Sequence, residues 1–362
     1  MWSELDTPSI LVDQTIVERN LQGMAAAASA RGLTLRPHTK THKSPLWARQ
    51  QVQLGAEGIM VAKLGEAETM LDAGIRRQSI GFPIIGQLKE DKLVSLVHRG
   101  LMPRVSVDSI SGVDALARVY QRTGIPIEAI IEVDTGMHRC GVLGAAAVVD
   151  LADYVRRMYG VHYGGITCFG GHIARTHVQD EIVGRIREEN QYLSNLVKVL
   201  QEHRLHPTVI SEGGTVPAAF LEELTIATEI RPGTYVYNDA ATVESFAATW
   251  DDCALSVLTT VVSKPAPNRV VLDAGSKTLS SDGPVAGGYG AVWGQPDWRL
   301  ARLSEEHGVL ESPEILPWAI GDRIRIVPNH ACTTINLHDM TYLIRHDQVA
   351  GTLPTLARGK VQ

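Results

Sequence analysis

From Thr7 to about Arg231 the chain repeats one pattern of hydrophobic and polar positions: a short β-branched or apolar run, a polar or glycine turn, a helical stretch, and then the next run. The runs are Leu33–Leu35, Gly58–Val61, Ser79–Phe82, Arg104–Val107, Ile130–Val133, Gly164–Cys168, Thr208–Ser211 and Thr228–Ile230, eight in all. Between them lie amphipathic segments with recognisable ends: Ile16–Ala30, stopped by Gly32; Gly65–Ala73, stopped by Gly74; and the longer Glu181–His203, charged along one side. Strand, helix and strand at a spacing of about 25 residues predict parallel βαβ units, and eight of them close most economically into a (β/α)8 TIM-like barrel. The rival is an open doubly wound sheet, which would carry a Gly-x-Gly-x-x-Gly turn after its first strand. Here that turn is Pro37-His38-Thr39-Lys40.

Beyond Tyr235 the texture changes. Alternating runs (Ala254–Val262, Arg269–Leu272, Arg323–Val327, Met340–Ile344) are separated by turns such as Lys264-Pro265-Ala266-Pro267-Asn268 and Gly287-Gly288-Tyr289-Gly290, which predicts a C-terminal antiparallel β-domain. The boundary is placed at 245/246: a barrel over 1–245 and a β-domain over 246–362, with roughly the first 15 residues available to pair with the second domain.

A length of 362 residues accommodates a barrel and a smaller second domain. Hydrophobic content of 44%, charged content of 20% and a mean hydropathy of -0.01 are those of an ordinary globular chain. A net charge of -6 offers no basic face, so nucleic acid is not an expected partner. No stretch approaches the roughly 20 apolar residues of a membrane span, and the acidic start Met1-Trp2-Ser3-Glu4-Leu5-Asp6 has no signal-peptide character. The expected location is the cytoplasm, without a membrane partner. Cys140, Cys168, Cys253 and Cys332 are too scattered for a disulfide framework; all but Cys332 are expected to be small buried hydrophobes.

Candidate chemistry lies where the strands end. Leu35-Arg36-Pro37-His38-Thr39-Lys40-Thr41-His42-Lys43 packs five basic side chains behind the first strand, either as a solvated turn or as the mouth of an active site. The fifth strand is followed by Asp134-Thr135-Gly136-Met137-His138-Arg139, the sixth by Phe169-Gly170-Gly171-His172, the seventh by Glu212-Gly213-Gly214-Thr215 and the eighth by Pro232-Gly233-Thr234-Tyr235. Glycines with a threonine after strands seven and eight are either simple turns or a phosphate site of bare backbone N–H groups and a hydroxyl. A phosphate clamp opposite a strand-end lysine points to pyridoxal phosphate held as a Schiff base, with Arg36, His38 and Lys43 expected to depress the lysine pKa. Arg139 is either a partner for the pyridine nitrogen or half of a salt bridge with Glu132 or Asp134. In Pro328-Asn329-His330-Ala331-Cys332, residues two apart on a strand would share a face, so His330 and Cys332 are either two ligands of one metal ion or an ordinary packed pair.

The ordered set Asp6-Thr7-Pro8-Ser9, Leu35–Lys40, Asp134–Val142, Gly213-Gly214-Thr215, Leu272-Asp273-Ala274-Gly275, Glu306-His307-Gly308 and Pro328–Cys332 resembles the D-threonine aldolase and D-serine dehydratase family over nearly the whole chain. The resemblance implies the fold-type III architecture shared with alanine racemase, pyridoxal 5'-phosphate as cofactor, a divalent metal, and a homodimer. It implies Lys40 as the Schiff-base lysine, which composition alone could not separate from Lys43, and Arg139 as the partner of the cofactor ring. Gly213, Gly214, Thr215, Gly233 and Thr234 become candidates for the phosphate, His38, Ser211 and Tyr235 complete the cofactor-binding set, and His330 and Cys332 are implied as the metal ligands. The second ligand is typically aspartate in the aldolases and cysteine in the dehydratases, so Cys332 is dehydratase-like and favours zinc over manganese or magnesium. Thr333–Asp339 is aldolase-like, and Phe169-Gly170 stands where the aldolases carry tyrosine and histidine, leaving the roles of Phe169 and His172 open. The expected function is a lyase acting on D-3-hydroxy amino acids, aldolase-like with Lys40 and His330 as catalytic residues. The alternatives are a dehydratase, a racemase and a non-catalytic pyridoxal-phosphate carrier.

Overall fold

The computed structural model describes residues 2, 4–283 and 285–362. The chain packs as two units: a barrel unit of Met24–Lys40, Pro45–Gly233 and Lys360–Gln362, and a β unit of Met1–Gly23, Thr41–Ser44 and Thr234–Gly359. The division falls at Gly233/Thr234, next to the change of texture beyond Tyr235 and ahead of the expected boundary at 245/246. The intervening stretch, which contains the helix Ala240–Glu244, packs within the β unit.

The first strand, β1 (Ser9–Asp13), belongs to the β unit. The barrel is built from β2 (Thr34–Leu35), β3 (Ile59–Val61), β4 (Arg77–Ile80), β5 (Met102–Val107), β6 (Ile127–Val133), β7 (Val161–Phe169), β8 (Val209–Gly213) and β9 (Glu229–Arg231). All neighbouring strands are parallel, in the order β2-β9-β8-β7-β6-β5-β4-β3. The two ends meet beyond β2, where Met60 N–H donates to the Pro37 carbonyl (2.8 Å) and Thr39 N–H to the Met60 carbonyl (2.9 Å), a parallel bridge of His38 with Met60. Each predicted barrel run coincides with one of these strands to within a few residues.

Local chemistry accounts for the helices. In Ile110–Thr123 the Ser109 hydroxyl accepts from Gly112 N–H (3.3 Å), Val113, Leu116, Ala117 and Val119 form the buried stripe, and Gly124 ends the helix in the left-handed region at φ 69°. Such a stripe needs a sheet to cover it, and β6 and β7 provide one.

Inside the barrel alternate residues face the lumen, and several are charged. Glu229 is buried between Arg36 (2.8 Å) and Arg104 (2.9 Å) and accepts from the Ser211 hydroxyl (2.6 Å). Burial works against its charge, but the two guanidinium groups hold its carboxyl below the usual range. Arg36 is thus paired with the buried Glu229.

Gly165 shows why β7 and β8 approach as they do. Its φ is +137° and a Cβ there would lie 2.0 Å from the Val209 carbonyl oxygen, beside a register shift between β6 and β7. Gly165→Ala is expected to cost on the order of 3 kcal/mol or more, from a forbidden backbone conformation and a backbone clash together. Thermal denaturation should show a Tm lower by roughly 6 °C or more; an unchanged Tm would refute the close approach.

The β unit adds β10 (Leu255–Ala266), β11 (Arg269–Leu272), β12 (Gly290–Val292), β13 (Gln295–Leu303), β14 (Gly308–Glu311), β15 (Arg323–Pro328), β16 (Met340–Arg345) and β17 (Gln348–Pro354). Their order is β11-β14-β13-β12-β15-β10-β1-β16-β17, and β10 also pairs with β11, so the sheet curls back on itself. All pairings are antiparallel except β1 with β16, which is parallel. Two expected turns are displaced: β10 continues to Ala266, leaving only Pro267-Asn268 as the turn, and Gly290 opens β12. All four cysteines are free; Cys168 and Cys253 are buried as expected, but Cys140 is only partly so. Among the described residues no helix is long and apolar enough to cross a membrane.

Candidate active site

The side chains that end the barrel strands gather at one face. The bridge of His38 to Met60 carries the backbone of β2 to the rim, where Thr39 Oγ1 donates to the Met60 carbonyl (3.1 Å) and Lys40 N–H to His38 Nδ1 (3.3 Å). The Lys40 amine lies 5.3 Å from the centre of the Phe169 ring, at the end of β7. Lys43, the other lysine of the motif, packs in the β unit with φ 53°. The two lysines of the motif thus fall in different units.

After β6 the chain folds into a tight loop. Asp134 accepts from the N–H groups of Gly136 (2.9 Å) and His138 (3.1 Å), and the chain returns to pair Val142 with β6. Burial opposes the charge of Asp134, but these N–H donors hold its carboxyl below the usual range. Gly141, at φ +121°, has no room for a side chain, since a Cβ would sit 2.6 Å from Asp134 N. The loop sets Arg139 at the rim, 48% exposed, with Nη2 3.5 Å from Glu132 Oε1 and the guanidinium 4.7 Å from the Phe169 ring centre. Of the sequence alternatives for Arg139, the salt bridge with Glu132 is present. Burial pushes the Glu132 carboxyl up, against the pull of Arg231 and Arg139.

The lumen cation at this level is Arg231, which sequence reasoning missed. Its Nε donates to Ser211 Oγ (2.8 Å), Nη2 to the Cys168 carbonyl, and Nη1 to Met60 Sδ (3.1 Å). Burial pulls its pKa down. A thioether is a weak acceptor, so Nη1 is a buried, under-satisfied donor of the kind a ring nitrogen would complete. The available signal was period two: Glu229 and Arg231 are alternate residues of β9, two positions ahead of Gly233.

The glycine loops meet as a phosphate cradle would require. Gly214 at φ +122° precedes the short helix Thr215–Ala219, and Thr215 Oγ1 accepts from Gly233 N–H (3.2 Å), tying the loops after β8 and β9 together. A Cβ on Gly213 would meet Arg231 Nη2 at 2.8 Å. Ser211 lies deeper, its hydroxyl engaged by both Glu229 and Arg231. Thr234 and Tyr235 fall in the β unit, in the 3-10 turn Thr234–Val236.

In the β unit His330 and Cys332 come together, but not along a strand. β15 ends at Pro328; His330 is extended at φ -141° and caps the helix Ala331–Asn336, so Cys332 stands in its first turn. This corrects the alternation argument, since a strand-to-helix corner brings the two side chains together. Asp239, fully buried, accepts from Ala331 N–H (2.8 Å) and lies 3.3 Å from His330 Nδ1. It also caps the helix Ala240–Glu244 through Thr242 N–H (2.9 Å). Cys332 Sγ lies 3.0 Å from the hydroxyl of Thr41, the residue after Lys40 in the chain, and 3.7 Å from that of Thr234. The negative Cys332, working against burial and aided by Asp239, pushes the His330 imidazole up to about 11.

An imidazole held through Nδ1 by a buried carboxylate, next to a cysteine sulfur, fits a divalent ion and leaves Nε2 and Sγ as ligands. Among the described residues no group of three or more His, Cys, Asp or Glu side chains could hold a metal. Two protein ligands leave the remaining positions to water and substrate, as a Lewis-acid site requires and a structural zinc site does not. Asp239 was also missed from the sequence, because nothing local marks a residue so far upstream as the support of His330.

An eight-stranded parallel barrel with a strand-end lysine, joined to an antiparallel β unit, is the alanine racemase-like fold. The family model for the alanine racemase N-terminal domain matches residues 12–241, and that for a putative serine dehydratase domain matches residues 254–344. The chain is 33% identical to a D-threonine aldolase of Arthrobacter sp over 99% of its length and 94% of that protein. It superposes on the crystal structure of D-threonine aldolase from Filomicrobium marinum with a TM-score of 0.91 at 32% identity, covering 100% of this chain and 98% of that one. D-threo-3-hydroxyaspartate dehydratase from Delftia sp. HT23 follows with a TM-score of 0.88 at 29% identity, covering 97% and 98%; a variant of that enzyme has been solved in a metal-free form. The chain belongs to the D-threonine aldolase and D-serine dehydratase family of pyridoxal-phosphate enzymes.

Proposed function

We propose that this chain is a pyridoxal-phosphate- and divalent-metal-dependent lyase that cleaves D-3-hydroxy amino acids to glycine and an aldehyde, as a D-threonine aldolase does, and that it works as a homodimer. The observation that carries the reading is the His330–Cys332 pair with Asp239 behind the imidazole, on a chain whose barrel presents Lys40 at a strand end. When bound, pyridoxal phosphate supplies an electron sink at Cα and the ion, zinc by the softness of Cys332 with manganese or magnesium as harder alternatives, supplies a Lewis acid for the β-hydroxyl.

The chain's own residues do the rest. Lys40 offers Nζ as the covalent anchor and, once the substrate amine has displaced it, as a group that accepts or returns a proton at Cα. Gly213, Gly214 and Thr215 offer backbone N–H groups and a hydroxyl to the phosphate. Arg231, rather than the half-exposed Arg139, takes the ring-nitrogen role, because its Nη1 is the buried donor with only a sulfur acceptor. His330 Nε2 and Cys332 Sγ hold the ion while Asp239 fixes the ring. In cleavage the hydroxyl loses its proton, the Cα–Cβ bond breaks and Cα regains a proton, so the substrate's atoms are shared between glycine and the aldehyde.

Cys332 favours a second reading, D-serine or 3-hydroxyaspartate dehydration. There Lys40 Nζ removes the Cα proton, hydroxide leaves from Cβ, and hydrolysis yields a 2-oxo acid and ammonia. Product analysis after incubating cofactor- and metal-loaded protein with D-threonine and D-serine decides between them. The expected result is glycine with an equal amount of acetaldehyde from D-threonine. A 2-oxo acid with ammonia replaces the aldolase by the dehydratase. Epimers alone indicate a racemase, and no turnover a carrier.

A further inference from the structure

Two hydroxyl groups approach Cys332 Sγ within the β unit. Thr41 is fully buried, with Oγ1 3.0 Å from the sulfur, and Thr234 Oγ1 lies 3.7 Å from the same atom. The chain enters this unit at Thr41, directly after Lys40, and leaves it after Ser44. Among the described residues the Thr41 hydroxyl has no hydrogen-bond partner other than this sulfur. A buried hydroxyl forfeits its bonds to water, and sulfur is a weak acceptor unless it carries charge, so the contact stabilises most when Sγ is a thiolate.

The backbone beneath the sulfur is held by other groups. Ala331 N–H donates to Asp239 (2.8 Å), and the hydroxyls of Thr333 and Thr334 donate to Asp282 (2.6 Å) and to the Leu279 carbonyl (3.1 Å). These bonds fix the first turn of the helix Ala331–Asn336 and touch no side-chain atom of Cys332, so the direction of Sγ is set by side-chain contacts such as that of Thr41. Metal chemistry settles which atom donates. Cysteine binds an ion as the thiolate, which has no proton to give, whereas a threonine hydroxyl has one and can rotate it toward the sulfur. A donated hydrogen bond holds Sγ in place and draws charge from it, which leaves the sulfur a weaker electron donor and a bound ion a stronger Lewis acid.

We infer that Thr41 is a positioning residue of the metal site, its hydroxyl donating to the Cys332 thiolate so that this ligand is both held and weakened as an electron donor. The inference rests on His330 and Cys332 as the metal ligands of the lyase reading, and metal binding and spectra test it apart from turnover. Thr41→Val keeps the shape of the side chain without the hydroxyl, and Thr41→Ser restores the hydroxyl. In cofactor-loaded protein, zinc affinity measured by competition with a chelator should fall about 10- to 100-fold in Thr41→Val and recover in Thr41→Ser. In cobalt-substituted protein the sulfur-to-cobalt charge-transfer band should move to longer wavelength in Thr41→Val, because a thiolate relieved of a hydrogen bond gives up electron density more readily, and return in Thr41→Ser. The cofactor absorbance should stay unchanged in both variants; a changed cofactor spectrum in Thr41→Val would make the residue a structural support of its neighbour Lys40 and overturn the inference. An unmoved cobalt band in Thr41→Val, a Thr41→Ser protein that behaves like Thr41→Val, or a wild-type cobalt protein without a sulfur band overturns it as well. A shifted band in a protein that turns over neither D-threonine nor D-serine sustains the role of Thr41 and removes the lyase reading, whereas turnover with an unmoved band does the reverse.

Discussion

Lys40→Ala protein is expected to be colourless after reconstitution and to lose activity by on the order of 10³-fold or more, because a covalent anchor at a strand end has no substitute. The barrel explains the size of the effect. The Lys40 backbone is positioned by the clasp of Pro37 and Thr39 on Met60, and its amine lies 5.3 Å from the centre of the Phe169 ring. Lys43→Ala should retain the visible absorbance of the bound cofactor, since Lys43 packs in the other unit and its carbonyl accepts from Ala357 N–H whatever the side chain. Absorbance spectra of the two purified variants decide the matter. Colour lost in Lys43→Ala and kept in Lys40→Ala would reassign the anchor.

Removal of divalent metal by a chelator is expected to abolish turnover while leaving the cofactor absorbance in place, because the anchor at Lys40 does not need the ion. Activity should return on adding metal back. Proton and metal compete for the imidazole, which Cys332 and Asp239 strongly favour in its charged form. Apparent metal affinity should therefore rise with pH, each ion bound releasing a proton. Asp239→Asn should weaken metal affinity about 10- to 100-fold by loosening the ring orientation, with the barrel unit's cofactor spectrum unaltered. Cys332→Asp should shift the preference from zinc toward manganese or magnesium, since a carboxylate is the harder ligand. Full turnover by rigorously metal-free protein would reduce His330-Ala331-Cys332 to a packed corner.

Much of this molecule was legible in one dimension. Strands such as Met102–Val107 and Ile127–Val133 are legible because closely spaced apolar residues (Val105 and Val107; Ile127, Ile130, Ile131 and Val133) follow the helix-ending glycines Gly100 and Gly124. β13 was harder, because Gln295–Leu303 mixes arginine, aspartate and tryptophan on a half-exposed strand and offers no continuous run. The corner at His330 was misjudged for a related reason. A strand was extrapolated through Asn329, while Asp239, far upstream, stops it by accepting from Ala331 N–H and holding the imidazole.

The order of motifs along the chain determined the family, the barrel and the identity of the candidate chemical groups, because strand period, helix stripes and turn residues are local properties that a sequence carries openly. Tertiary structure alone decided which of those groups meet. It gave Arg36 to Glu229 and Arg139 to Glu132, set Arg231 in the lumen with one under-satisfied donor, and assigned Lys40 and Lys43 to different units. It also placed Asp239 and Thr41 beside His330 and Cys332. The physical reason is that a hydrogen bond or ion pair depends on distance in space, and chain closure brings together residues whose separation along the sequence leaves no periodic trace.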